Sequence, residues 1–371
     1  MKKHLNNTIP LIIFLLISYS TACQSREQSS FSLNDYYKES IELDKKVNKL
    51  FSEMSNQEKA SQMIITAAGK YGKPHEEVIG LVREKTVGGV LLLNGTKEGF
   101  SDLVRQINDI SNKENLIPQI FSADAEPSLI NNKIKGTQEV PKTSSISNVE
   151  SSKKVAAKIS NELLNIGINH NYAPVIDISQ DNEAIGNRSY GSDPLQVVNL
   201  AMAFMEMSQD MEIVSTIKHF PGHGNVIGDT HEKLVFIDGE MTEVQNYRPF
   251  IDAGALSIMV AHLAVKNNQK YDTRGLPASC SRNIVSDLLR SEMKFEGIII
   301  TDAMNMGALK EFGNAPLMAA QAGCDLILMP MDERKLNKEL QMALSEKSAF
   351  KNQLEESIKR VLRLKVCLGL L

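Results

Sequence analysis

Apolar residues fall in two rhythms along this chain. Short continuous runs occupy 62–67, 88–93, 119–123, 171–176, 215–219, 257–261, 297–301 and 325–329. Continuous runs, rather than alternating ones, are what a strand buried on both faces requires. Between them lie longer stretches, such as 151–166, 197–208 and 283–293, with apolar residues at helical spacing. Strands alternating with helices eight times over predict an α/β fold, a (β/α)8 TIM barrel in a single domain. A doubly wound open sheet is the alternative, because periodicity does not report closure.

The polar residues at the ends of these runs favour the barrel. Asp124 follows IFSA, Asp177 follows PVI, Lys218-His219 follow VSTI, His262 follows IMVA and Asp302 follows IIIT. A barrel builds its active site on the C-terminal rim of its strands. Polar groups buried there cost free energy unless they are paired or used. One such aspartate is explained as a helix cap; five polar strand ends on one rim are not.

The first residues follow a different pattern. Lys2 and Lys3 precede an apolar run from Ile9 to Ile17, and Ser20-Thr21-Ala22 lead to Cys23. This is the layout of an export signal over residues 1–22, too short and too abruptly ended for a membrane span. Small residues before Cys23 resemble the lipobox of bacterial lipoproteins, although Ser20 stands where Leu is usual. The expectation is export, lipidation at Cys23 and anchoring to the bacterial cell envelope; a plain secretory signal and an uncleaved anchor are the alternatives. Residues 23–44 are polar and read as a tether, leaving 45–371 as the folded domain.

Composition adds exclusions. The chain of 371 residues carries a formal charge of -4. No Lys/Arg stripe with interleaved aromatics occurs, so no nucleic-acid partner is expected. Cys280, Cys324 and Cys367 are odd in number and widely spaced, which gives neither a disulfide framework nor a metal pattern.

The densest chemistry lies in KHFPGHG (218–224) and GDTH (228–231), where three of the seven histidines fall. His219, His223, His231 and Asp229 are acceptable zinc ligand types. Pro221, Gly222 and Gly224 spoil a helix that would align them, and no metal signature is present, so no metal or other cofactor is expected.

KHFPGHG with DTH, and ITDAMNMGAL (300–309), resemble the signature of family 3 glycoside hydrolases, most of all their bacterial β-N-acetylglucosaminidases. APVIDI (173–178), IGNRSYGSDP (185–194), IMVAHL (258–263), PASCSRNIVSDLLR (277–290) and FEGIIITDAM (295–304) continue the likeness in order. The resemblance implies a carbohydrate substrate and an exo-acting, retaining enzyme. It implies Asp302 as nucleophile, His231 as acid/base and Asp229 as its partner. It also implies Asp124, Arg188, Lys218 and His219 as residues that hold the terminal sugar. An imidazole titrating near neutrality suits donation and then acceptance of a proton. Arg188 also admits a plain ion pair with Asp177 or Asp193. Nothing suggests an oligomer, and a monomer is expected.

The sequence departs from the family after Asp124. The family reads close to DQEGGRVQR, whereas this chain reads DAEPSLI, without the glycines and the arginine. That alteration leaves two further readings open: another sugar specificity of the same family, as in a β-glucosidase or β-xylosidase, or a lipid-anchored sugar-binding protein without turnover.

Overall fold

A computed structural model describes residues 31–178, 182, 184–224, 226 and 228–371. The expected signal segment 1–22, Cys23 and the start of the expected tether lie outside the described residues.

Eight parallel strands form the barrel: β1 (Ile64–Ala68), β2 (Gly89–Leu92), β3 (Ile120–Ala123), β4 (His170–Asn171), β5 (Val214–Phe220), β6 (Ser257–Val260), β7 (Ile298–Thr301) and β8 (Ile327–Leu328). Neighbours in sequence are neighbours in space, from Ile65 opposite Gly89 round to Ser257 opposite Ile298. Ile64 pairs with Ile327, and a bridge between Ile300 and Leu326 nearly completes the ring. All eight expected runs therefore lie in the barrel.

The expected strand at 171–176 is cut to two residues. Pro174 supplies no N–H, so the ladder there is irregular. The segment still follows the wall: Tyr172 donates to Ala123 O at 2.8 Å and Ile176 to Lys218 O at 2.9 Å.

Helices follow the strands for local reasons. Val149–Ile166 begins where Asn148 accepts the N–H of Ser151 and stops at Gly167, at φ 94°. Its Val155, Ile159, Leu163 and Ile166 recur on one face and are buried. Among the described residues no helix is long and apolar enough to cross a membrane.

One boundary needs correction. Residues 31–44, assigned to the tether, pack on the barrel. Leu33 and Tyr36 are buried, and the Leu33 N–H donates to Glu212 at 3.1 Å. Arg363 donates to the carbonyls of Tyr36 and Lys38. Two apolar anchors in a polar stretch leave no periodic signal.

The C-terminal helix Ala349–Cys367 reaches the base of the barrel through one side chain. Its Lys365, fully buried, donates to Gln62 Oε1 at 2.6 Å, Gly88 O at 2.9 Å and Pro118 O at 2.7 Å. These acceptors precede β1, β2 and β3. Burial pulls the Lys365 pKa down to about 7. Lys365→Met should cost about 2 kcal/mol in urea unfolding, because it strands buried acceptors. Ligand affinity at the opposite rim should not change; a weakened rim site would refute a purely structural role.

Candidate active site

Each strand-end residue reaches the same rim. Asp124 stands directly after β3, Lys218 and His219 lie in β5, and Asp302 follows β7. Arg188 arrives from the turn Gly186–Arg188 after β4. Asp302, His231, Asp124, Arg188, Lys218 and His219 together line one pocket of about 380 Å³. Asp229 stands behind His231.

A continuous ionic network forms the wall. Glu126, fully buried, accepts from Arg188 through Nε at 2.8 Å and Nη2 at 2.6 Å, and pairs with Lys218 Nζ at 2.5 Å. Lys218 also reaches Asp124 Oδ1 at 2.5 Å, and Lys133 holds Asp124 Oδ2. Arg188 therefore pairs with Glu126, not with the Asp177 or Asp193 considered from sequence. Desolvation works to raise both acidic groups, but the cations dominate. Asp124 is held well below its ordinary value by Lys133, Lys218 and Arg188, and Glu126 below its own by Arg188 and Lys218. Burial works against the Lys218 ammonium as well, yet Asp124 and Glu126 hold its pKa above ordinary.

Asp177 organises the other side. It is buried and lies 2.7 Å from His219 Nδ1, and it accepts the His223 N–H at 2.7 Å. His219 Nδ1 faces Asp177, and its other ring nitrogen, Nε2, lies 3.4 Å from Arg188 Nη2. His223 Nε2 meets Thr230 Oγ1 at 3.1 Å, which ties this network to the GDTH loop.

In that loop His231 Nδ1 is 2.6 Å from Asp229 Oδ1, and the same oxygen accepts the His231 N–H at 2.8 Å. The ring nitrogen left for a ligand is Nε2. Partial burial works to raise the Asp229 pKa, but the His231 N–H and imidazole pull it below ordinary. The loop is docked on the segment that follows Asp302: Gly307 N–H donates to His231 O at 3.0 Å, and Ala308 N–H to Thr230 O at 3.2 Å. A Cβ at position 307 would stand 2.4 Å from Glu232 O, so only glycine permits this approach.

Asp302 is half-buried and accepts the Ala303 N–H at 2.7 Å. Burial works to raise its pKa, but His219, His262, that N–H and His231 together hold it below the ordinary 3.8. It is an anion at neutral pH. His262 is tied to its neighbours on both sides of the ring. Its Nδ1 meets Ser279 Oγ at 2.7 Å and its Nε2 meets Ala303 O at 3.1 Å.

Sequence reasoning missed two members of the wall. Glu126 was visible as the second acid of an acidic pair, but nothing indicated that it pairs with both cations. Lys133 had no signal at all. It is brought back by the short turn Ile130–Lys133, where the Ile130 N–H donates to Glu126 O at 2.9 Å. Among the described residues no three His, Cys, Asp or Glu side chains converge to hold a metal ion.

A parallel barrel here carries an anionic carboxylate, an acid-paired imidazole and a wall of fixed donors on one rim, where barrel enzymes build their sites. Residues 44–364 match the glycosyl hydrolase family 3 N terminal domain, and the chain belongs to that family. It is 31% identical over 265 residues to a beta-hexosaminidase of Tolumonas auensis, covering 67% of this chain and 77% of the relative. A beta-hexosaminidase of Hydrogenovibrio crunogenus is 36% identical over 193 residues, covering 50% of this chain and 53% of that protein. The family 3 β-N-acetylglucosaminidase of Paenibacillus sp. superposes with a TM-score of 0.77 at 27% identity, covering 85% of this chain and 63% of that one. The chain thus spans less than two thirds of these last two proteins.

Glu126→Gln tests the wall. A carboxyl held below its ordinary 4.5 stabilises the fold above about that pH and loses its contribution as pH falls through its folded value. The variant should lose about 3 kcal/mol at neutral pH, because two cations stay buried with less compensation. Its deficit should shrink in urea titrations below about pH 4. A deficit independent of pH would refute the ionic account.

Proposed function

We propose that this chain is an exo-acting, retaining β-N-acetylglucosaminidase. The observation that carries the reading is the 2.6 Å contact between His231 and Asp229, with His231 and Asp302 lining one pocket. The names of the relatives support the same sugar.

In this reading Asp302 attacks the anomeric carbon. His231 gives its Nε2 proton to the departing oxygen, and a glycosyl ester forms on Asp302. His231, now neutral, takes a proton from water, which attacks the same carbon and frees Asp302 with net retention. Asp229 keeps Nδ1 occupied and stabilises the imidazolium. Lys218 and Arg188 offer donors to the hydroxyls and the acetamido group of the sugar, His219 presents its Nε2, and Asp124 accepts from a hydroxyl. No metal or organic cofactor enters any step. A pocket of about 380 Å³ lies at the small end of the usual ligand range, roughly 300–1,000 Å³. That size suits one terminal sugar.

The reading extends to location. Lys2, Lys3, the apolar run and the small residues before Cys23 support export, with a lipid on Cys23 holding a monomeric enzyme at the cell envelope. Glycans within reach there include peptidoglycan fragments and chitooligosaccharides.

Two variants test the chemistry. Asp302→Asn should abolish nitrophenol release from 4-nitrophenyl β-N-acetylglucosaminide while the fold melts as wild type. Retained turnover, or equal activity on the matching glucoside and xyloside, sinks the assignment. His231→Ala should slow alkyl glycosides by about 10²–10⁴-fold and nitrophenyl glycosides far less, since nitrophenolate needs little protonation. Equal losses on both would remove His231 from the acid role.

A further inference from the structure

The stretch that leads into the barrel is fixed to one end of it. Leu33 and Tyr36 are buried, the Leu33 N–H donates to Glu212 at 3.1 Å, and the Tyr37 hydroxyl donates to Ala255 O at 2.5 Å. Glu212 and Ala255 stand just before β5 and β6. Gly297, just before β7, is packed so closely that a Cβ on it would lie 2.6 Å from the same hydroxyl. Arg363 Nη2 holds the Lys38 carbonyl at 2.7 Å. Residues 33–38 therefore cross the N-terminal ends of three neighbouring strands. Lys218, Asp302 and the pocket they line lie at the opposite ends of the same strands. The point where the chain turns towards Cys23 is thus fixed at the base, away from the pocket.

Chain length then limits where a membrane can lie. Seven residues, 24–30, separate Cys23 from Phe31. Even fully extended, that span reaches at most about 28 Å. The barrel wall is as tall, since the 18-residue helix Val149–Ile166 alone spans about 27 Å. A lipid on Cys23 holds the base near the bilayer and leaves no slack to bring the rim there. We infer that the base of the barrel lies against the lipid surface, with Ile41 in contact with it, and that the sugar pocket opens away from the membrane. The inference rests on the lipid at Cys23 proposed above. Ile41 directly follows the base-bound stretch, at the start of the helix Ile41–Glu53, and is 76% exposed. Charge does not set this orientation. Residues 31–53 carry four Lys against five Asp and Glu, whereas attraction to anionic lipid needs a basic cluster. The tether sets it, and the substrate that suits it is a glycan standing off the bilayer.

Tryptophan fluorescence tests the orientation, because the chain contains no Trp and an introduced one reports alone. The full-length lipidated protein, carrying Ile41→Trp or Met331→Trp, is bound to vesicles of phosphatidylcholine and phosphatidylglycerol with brominated or ordinary acyl chains. Bromine quenches only a Trp that reaches the lipid. Met331 follows β8 at the rim, is 75% exposed and lines no part of the sugar pocket. Both positions are on the surface, so neither variant threatens the fold. Ile41→Trp should lose emission in the brominated vesicles and Met331→Trp should keep it, at low and at high salt alike. Quenching at Met331, or at neither position, in protein that stays on the vesicles overturns the inference and leaves the anchored enzyme standing. Quenching at Ile41 that disappears at high salt makes charge the cause and overturns it too. Protein that fails to float with the vesicles, behaving as Cys23→Ser does, removes the lipid reading and this inference with it.

Discussion

The site depends on a carboxylate that the solvent never meets. Glu126 is fully buried and holds Arg188 through two nitrogens and Lys218 through a third contact. Three segments converge on it: the loop after β3, the turn Gly186–Arg188 and strand β5. Burying three charges is expensive, and their mutual attraction repays the cost only when the geometry is good. An apolar cluster of the same volume would be as stable, but it would offer a sugar nothing to bind. The acid is what allows Arg188 and Lys218 to stay charged and fixed beside the pocket. Fixed donors lose little on binding, which is the purpose of prepaid organisation. Asp124, shared by Lys218 and Lys133, extends the arrangement to the pocket wall.

The barrel was legible because its strands are buried on both faces, which turns each into a continuous apolar run. All eight runs lie in it, and the ends differ by a few residues, as at 325–329, where only Ile327–Leu328 remain. Asp325 belongs instead to an ion cluster with Arg290 and Arg360. The shortened β4 follows from Pro174, whose missing N–H no hydropathy pattern records. The packed segment 31–44 was hidden for the opposite reason. Leu33 and Tyr36 hold it through single side chains and through contacts with Arg363, which lies over three hundred residues away in sequence.

The candidate site was legible where chemistry sits at a strand's end and obscure where a loop folds back. Asp124, Lys218, His219 and Asp302 are placed by regular strands, so sequence position predicts the rim. Lys133 is placed by tertiary contact alone. The altered stretch after Asp124 has Pro127 in place of a glycine. There the backbone turns on Glu126 O, and Lys133 supplies a cation beside Asp124. The arginine missing from that stretch is therefore not a missing charge in the pocket.

The two proposed reacting groups are supported in different ways. Asp302 is continuous with a buried parallel strand, and the backbone at Ala303 and the ring of His262 fix its surroundings. His231 is carried on a loop, with its side chain 61% exposed. Its ring direction depends on Asp229, two residues earlier, and its depth depends on the bonds from Gly307 and Ala308. Each such bond contributes only about 1 kcal/mol net. The glycine at position 307 thus has a role that its place in a motif does not reveal. It lets the loop bearing the acid approach the segment bearing the carboxylate. An alanine there would meet the Glu232 carbonyl and push the loop away, disturbing the imidazole while leaving Asp302 in place. The separation of the two groups is set by a backbone contact, because a side chain two residues from its partner on a loop cannot set it alone.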